Sequence, residues 1–456
     1  MSVGIVELVP GEPVRGSIRP PGSKSLTNRA LLCAAFAKGP STLLGALNSE
    51  DTTVMVDSLR KIGVNVETQD GGRTLRVDGS LTSRETSPIE LFIGNSGTTV
   101  RFLTAALSAL GGNYRLSGVP RMHQRPIGDL VDAIAGVIEG SIETESSEAC
   151  PPVRIDSHGW NGNEIRVAGS VSSQYLSGLM MAAPIALQTT NRSSEALKII
   201  NIHVLGELVS RPYVEMTGSV MKSFGANVSV NDRRDANDQE SVTVQIQSSG
   251  YQGLSYDIEP DASAASYFWA AAAITGGQVT VEGLTPDAMQ GDVGFCEVLE
   301  QMGCKRVIEN HGITIIGGEL KGIDVDMNAI SDTVQTLSVV ALFASGPTRV
   351  RGVAHNRFKE TDRIGDLAHE LRKLGAEVEE HDDGMTIHPP TITDSFSGAT
   401  IETYDDHRMA MSLSLAGLRI PGVRITNPAC TGKTYPQFFA DLERLISRSH
   451  LWSNQS

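Results

Sequence analysis

Two patterns of apolar and polar positions alternate along the chain. The first is a helix-like run that opens on a capping residue, continues through Ala, Leu, Ser and Met, and closes at or near Gly. It occurs at SKSLTNRALLCAAFAKG (23–39), NSGTTVRFLTAALSALGG (95–112), SSQYLSGLMMAAPIAL (172–187), DASAASYFWAAAAITGG (261–277), SDTVQTLSVVALFASG (331–346) and DDHRMAMSLSLAGLRIPG (405–422). Runs with so little polar surface predict helices built for burial.

The second pattern follows each copy of the first. A short β-branched strand leads through a polar turn to an amphipathic helix, often closed after Gly by another strand. STLLGALNSEDTTVMVDSLRKIGVNVE, QVTVEGLTPDAMQGDVGFCEVLEQMGCKRV and TRVRGVAHNRFKETDRIGDLAHELRKLGAEVEE are the clearest examples. Six such units of roughly 70 to 85 residues, each too small to bury two helices alone, imply stacking around shared cores. Three units per domain gives two similar α/β domains. The polar stretch VNDRRDANDQESVTVQIQSSGYQGLSYDIEP separates the third and fourth copies and places the domain crossing near residue 258. The opening strand GIVELVP can pair with either half.

A length of 456 residues allows two or three domains, and 40% hydrophobic with 20% charged residues marks a globular protein. The net charge of -15 argues against a nucleic-acid binder acting through bulk electrostatics. An anionic partner must then be small and met by local cations. Five scattered cysteines without a C-x-x-C pair suggest neither a disulfide framework nor a zinc site. No apolar leader or spanning segment is evident, which predicts a cytoplasmic protein without a membrane partner.

Taken singly, Ser, Asn and Asp at the six helix starts are ordinary N-caps. Together they are accompanied by cations that capping does not explain. Lys24, Arg29 and Arg101 lie in the first pattern with Arg408; Arg121, Arg125, Lys359, Arg363 and Lys433 lie in the turns of the second. A helix start carries free N–H donors and about half a positive charge, so several starts with added cations form a site for a ligand with more than one anionic group. Arg29 and Arg101, one turn inside buried-looking helices, call for a ligand or a buried carboxylate. Candidates for acid–base work are Asp332, Glu360, Lys24 and His407. A carboxylate among cations stays ionised, and a lysine crowded by cations is pushed toward neutrality. ITNPACTGKTYPQFF imitates a phosphate-binding loop, but Asn427 stands where its first Gly is needed. No metal or organic cofactor is called for.

The runs PGSKSLTNRALLCAAF, GNSGTTVRFL, RMHQRPIGDLVDAI, SSQYLSGLMMA, GELVSRPYVEMT, DASAASYFWAAAAI, MQGD, FKETDRI, YDDHRMAMSLSLAG and CTGKTYPQFF, in this order from residue 20 to 439, resemble the EPSP synthase family of enolpyruvyl transferases. The resemblance implies two inside-out α/β barrel domains, each of three β-α-β-α-β-β units. The N-terminal strand then joins the second domain, giving residues 21–257 and 1–20 plus 258–456. It implies a reaction in which the enolpyruvyl group of phosphoenolpyruvate is transferred to the 5-hydroxyl of shikimate 3-phosphate.

By the same resemblance, Lys24 is shared by both substrates, and Ser25 and Arg29 lie on the shikimate carboxylate side. Ser172, Ser173, Ser210 and Lys359 meet the shikimate phosphate, with Gln174 spanning toward phosphoenolpyruvate. Gly97, Arg125 and Lys433 fall where the family binds the phosphate of phosphoenolpyruvate, and Arg363 and Arg408 where it holds the carboxylate. Asp332 matches the proton acceptor at the 5-hydroxyl, and Glu360 a proton-transfer residue at the methylene carbon. A monomer is expected. The chain departs from the family at His355, where many members have Asn, at Pro260, where Gly is usual, and in SDTVQTL around Asp332.

Two alternatives are a transferase acting on a UDP-amino sugar and a non-catalytic anion-binding protein of the same fold. The first carries a reactive Cys in the loop that here reads PRMHQRP. The second would not need both Asp332 and Glu360.

Overall fold

The structure, a computed structural model, describes residues 4–79, 88–190, 197–234, 240–247, 250–390 and 396–454. The chain forms two compact units, Gly22–Ile258 and Met1–Pro21 with Glu259–Ser456.

Among the described residues each unit contains three four-stranded sheets, and all six share one plan. In the Gly22–Ile258 unit, Glu164–Ala168 runs parallel to Ile199–Leu205, with Ile165 opposite Ile202. Ile199–Leu205 is antiparallel to Glu240–Gln247, which is antiparallel to Asn227–Arg234. Ile200, Ile202 and Val204 point inward while their neighbours are wetter, the period-2 alternation of a half-covered sheet. Ile89–Phe92 and Gly112–Ser117 open a second sheet in the same way. In the remaining sheet of this unit, Ser255–Asp257 returns from the end of the unit to run parallel to Ser41–Leu44 near its start.

The other unit repeats the plan. Arg15–Ile18 runs parallel to Gln278–Glu282, and Asp324–Asp326 to Thr348–Arg351. The last sheet is completed by the start of the chain. Gly4–Glu7 lies antiparallel to both Arg424–Thr426 and Leu451–Asn454, with Ile5 opposite Thr426 and Val6 opposite Trp452. That pairing settles the partner of GIVELVP, which the local pattern left open.

The helices predicted from the first pattern are the innermost elements. Every residue of Ala262–Thr275 from Ala262 to Ile274 is buried, as is nearly all of Lys24–Ala35 and Gly97–Leu110. Ser173–Thr190, Val334–Ala341 and His407–Ser414 complete the set. Amphipathic helices such as Gly365–Lys373 and Arg211–Ser223 carry one buried face. With buried helices inside and half-wetted sheets outside, each unit is an inside-out α/β barrel.

The polar stretch read as a separator is instead part of the fold. Asn227–Arg234 and Glu240–Gln247 are hairpin strands, and Tyr251–Gln252 pairs with Ala37–Lys38. Its Val and Ile positions, buried at Val228, Val242, Val244 and Ile246, supply a strand face that its charged neighbours mask in the sequence. Residues 235–239 and 248–249 of that stretch lie outside the described residues. Among the described residues, no helix is long and apolar enough to cross a membrane.

Candidate active site

In the Gly22–Ile258 unit, side chains bring three helix starts together. Nη1 of Arg101 donates to Oε1 of Gln174 (2.7 Å), which joins the entries of Gly97–Leu110 and Ser173–Thr190. Nη2 of Arg29 reaches Oγ of Ser177 (3.3 Å), tying Lys24–Ala35 to the same helix. Each start is capped as its sequence predicts: Ser23 accepts from the Leu26 N–H, Ser96 from that of Thr99, and Ser172 from that of Gln174.

Arg29 is buried and its guanidinium is engaged by Oγ1 of Thr217 (2.7 Å) and the carbonyls of Ser25 and Tyr213 as well as by Ser177. These acceptors are hydroxyls and carbonyls rather than a buried carboxylate, one of the two partners, with a ligand, that its position suggested. Burial lowers its pKa to about 10, against the opposing pull of Tyr213 and Cys33. Lys24 was expected among cations; its ammonium lies 3.6 Å from the carboxylate of buried Asp51. Arg125 donates from Nη1 to the carbonyl and side-chain oxygen of Asn95 (3.0 and 3.2 Å). Its guanidinium lies against Gly97, where an added Cβ would collide with Nη2 of Arg125 and sit 2.8 Å from Nη1 of Arg101. A side chain here would have to push the ends of these two arginines aside. Ser173 and Ser210 are buried, the latter with left-handed backbone at the entry of Arg211–Ser223. Arg121 instead donates to Gln124 beside it.

In the other unit the cations meet carboxylates. Asp332 lies within a short turn, Asn328–Thr333, ahead of Val334–Ala341, and Thr333 rather than Asp332 is that helix's cap. Its Oδ2 accepts from Nη2 of Arg408 at 2.7 Å, and its Oδ1 lies 3.4 Å from Nη1 of Arg363. Glu360 accepts from Nζ of Lys433 at 2.6 Å and from Nη2 of Arg363 at 2.8 Å. Arg363 thus bridges the two acids. Burial opposes its charge, but Asp406 and Glu360 outweigh that and hold the guanidinium more firmly protonated than usual. Nη1 of Arg408 lies 3.5 Å from Oη of Tyr267, which brings the second turn of Ala262–Thr275 to the same place.

Two acids that sequence reasoning left without a role belong to this cluster. Asp406 caps His407–Ser414 by accepting from the Arg408 N–H (2.8 Å) and also takes Nε of Arg363 (2.7 Å). His407 is buried with Nδ1 3.6 Å from Asp406. Asp292, in MQGD, accepts from Oγ of Ser263. Burial pushes its carboxyl up to about 7, and the charge of Asp332 acts in the same direction. The doubled acid of YDDHR and the quoted MQGD were signals, but only burial distinguishes them from surface acids. His355 is buried too, and burial, aided by the charge of Lys359, holds its imidazole neutral down to about 3. Pro260 is accommodated because only its carbonyl is used, accepting from Nε2 of Gln290 (2.6 Å), whose Oε1 takes the Ala262 N–H.

The sequence profile of the EPSP synthase (3-phosphoshikimate 1-carboxyvinyltransferase) family matches residues 8–442. The chain belongs to that family. It is 44% identical over 458 residues to the chloroplastic 3-phosphoshikimate 1-carboxyvinyltransferase of Arabidopsis thaliana, covering 96% of this chain and 84% of the relative. It is also 44% identical over 438 residues to the Nostoc enzyme of the same name, covering 95% and 97%. Among solved structures, an EPSP synthase from Acinetobacter baumannii matches with a TM-score of 0.77 and 25% identity over 99% of this chain and all of that one. An enolpyruvyl transferase from Streptomyces tendae, at 17% identity and a TM-score of 0.73, shares the fold. In this EPSP synthase family member, Asp332, Glu360, Arg363, Arg408 and Lys433 form one cluster of paired charges.

Proposed function

We propose that this chain transfers the enolpyruvyl group of phosphoenolpyruvate to the 5-hydroxyl of shikimate 3-phosphate and releases phosphate. The observation that carries the reading is the pair Asp332 and Glu360, each held against cations and joined through Arg363.

In the addition step, a carboxylate of Asp332 accepts the 5-hydroxyl proton as that oxygen bonds to C2 of phosphoenolpyruvate. Arg408 and Arg363 hold that carboxylate by its two oxygens. C3 gains a proton delivered through Glu360. Elimination then breaks the C2–O bond to phosphate and returns a proton from C3 to Glu360, and the hydroxyl proton taken by Asp332 leaves with the phosphate. Arg363 and Arg408 hold the substrate carboxylate, and Lys24, Arg125 and Lys433 take the phosphate as it gains charge. Gly97 leaves Arg125 room to do so. Ser172, Ser173, Gln174, Ser210 and Lys359 receive shikimate 3-phosphate, with Ser25 and Arg29 on its carboxylate side.

The enzyme acts as a monomer in the cytoplasm, a setting supported by its five buried free cysteines. Inorganic phosphate released from phosphoenolpyruvate by the purified protein tests the reaction. Release that depends on shikimate 3-phosphate is expected; none, despite binding of both compounds, overturns it.

A further inference from the structure

Tyr404 and Asp405 are consecutive non-glycine residues with φ of 52° and 55°, a conformation that a side chain disfavours. They immediately precede Asp406, the fully buried acid that grips Arg363 and caps the helix bearing Arg408. Backbone held in this region at a site persists only where surrounding contacts over-determine it.

Those contacts converge from three sides. The Tyr404 hydroxyl donates to Oε1 of Glu370 at 2.7 Å, and Oε2 of Glu370 accepts the Glu402 N–H at 3.2 Å. Glu370 is fully buried, and Nζ of Lys373 lies 2.8 Å from its carboxylate. Burial and the Glu370 charge push the Tyr404 hydroxyl's pKa up, so it remains a donor. Asp405 accepts from Nδ2 of Asn427 at 3.0 Å, just ahead of the turn Pro428–Lys433 that carries Lys433. Glu370 stands on Gly365–Lys373, whose approach carries Arg363. One segment therefore grips both ends of the strained turn, Arg363 at Asp406 and Glu370 at Glu402 and Tyr404.

We infer that Glu370 and Tyr404 are positioning residues: their hydrogen bond, buried at the Glu370 end, clamps the left-handed turn that sets Asp406, and through it the aim of Arg363 and Arg408. The inference rests on the proposed reaction, in which those two arginines hold the carboxylate of phosphoenolpyruvate. Loosening the clamp spoils orientation at that carboxylate without removing any group that touches substrate.

Tyr404→Phe deletes one hydroxyl, and Glu370→Gln retains an acceptor that Glu370→Ala lacks. In steady-state assays Tyr404→Phe is expected to raise KM for phosphoenolpyruvate about tenfold, with KM for shikimate 3-phosphate changed less than twofold or so. Glu370→Gln should lie nearer wild type than Glu370→Ala. Amide hydrogen exchange, read with no substrate present, should show faster exchange at residues 405–408 in Tyr404→Phe while the strand Thr348–Arg351 stays protected. Unchanged exchange at residues 405–408 overturns the clamp whether or not the enzyme turns over. In an active enzyme, equal rises in KM for both substrates also overturn it. Absence of turnover in the wild type would overturn the proposed reaction and leave the exchange result to decide the clamp's mechanical part.

Discussion

The two units hold their cations differently. In Gly22–Ile258, Arg29, Arg101 and Arg125 donate to neutral oxygens of Thr217, Gln174, Pro126 and Asn95, and of the site cations described there Lys24 lies beside an acid, 3.6 Å from Asp51. In the unit completed by Glu259–Ser456, Arg363, Arg408 and Lys433 lie against Asp332, Glu360 and Asp406. A neutral acceptor aims a cation without itself cancelling the cation's field. A cation among carboxylates loses much of that field, but fixes the protonation and direction of the acids beside it. The proposed reaction places its proton-transfer residues, Asp332 and Glu360, in the second arrangement.

The sharpest way to break this contrast is Asp332→Asn. Turnover should fall by at least about a thousandfold because the proton acceptor is lost. Affinity for shikimate 3-phosphate, measured by calorimetry, should stay within about tenfold. Near-normal turnover would remove Asp332 from the chemistry.

Next is Arg363→Ala, which leaves Glu360 and Asp406 buried beside an empty place. Stability should drop by about 3–5 kcal/mol in urea unfolding. Arg125→Ala, which removes the donor to the carbonyl and side-chain oxygen of Asn95, should cost about 1–2 kcal/mol. Equal losses would erase the distinction between the units.

Asp292→Asn probes the acid cluster through pH. The native carboxyl keeps its proton up to about 7, whereas in the unfolded chain it is lost near the ordinary 3.8. The native state therefore binds more protons over that window, and the stability from this group falls as pH rises from about 4 to about 7. Asp332 and Asp261 push in this direction and Arg408 against it. The Asn variant lacks the decline, so its stability relative to wild type should be about 4 kcal/mol greater at pH 8 than at pH 4. A difference independent of pH would show that Asp292 is ionised throughout.

The smallest effect is expected at Gly97→Ala. The added methyl must displace the Arg125 guanidinium, so KM for phosphoenolpyruvate should rise about tenfold with little loss of stability. An unaltered KM would show that Arg125 is not aimed by this close approach.

The six buried helices were legible because caps such as Ser23, Ser96 and Asp261 and the small-residue runs behind them are local signals. The strands of the second pattern were legible for the same reason at Ser41–Leu44, Gln278–Glu282 and Thr348–Arg351. Their parallel neighbours were not: Ser255–Asp257 and Arg15–Ile18 are too short to carry a pattern, and their partners are remote in sequence. At the site, motifs drew attention to Asp332, Glu360, Arg363, Arg408 and Lys433. Asp406, Asp292 and Tyr404 escaped because an acid or a tyrosine in a polar turn looks the same whether its partner is water or a buried arginine or glutamate.

From the sequence alone came the repeat, the helix starts, the supply of cations and the family resemblance, since capping, periodicity and motif order are properties of neighbouring residues. Only the tertiary structure decided which cation meets which acid, that Gly4–Glu7 closes the last sheet, and that a strained turn at Tyr404 and Asp405 aims Asp406. Those outcomes depend on burial and on pairing between distant segments, where removing water makes a charge or an unpaired strand edge costly enough to select its partner.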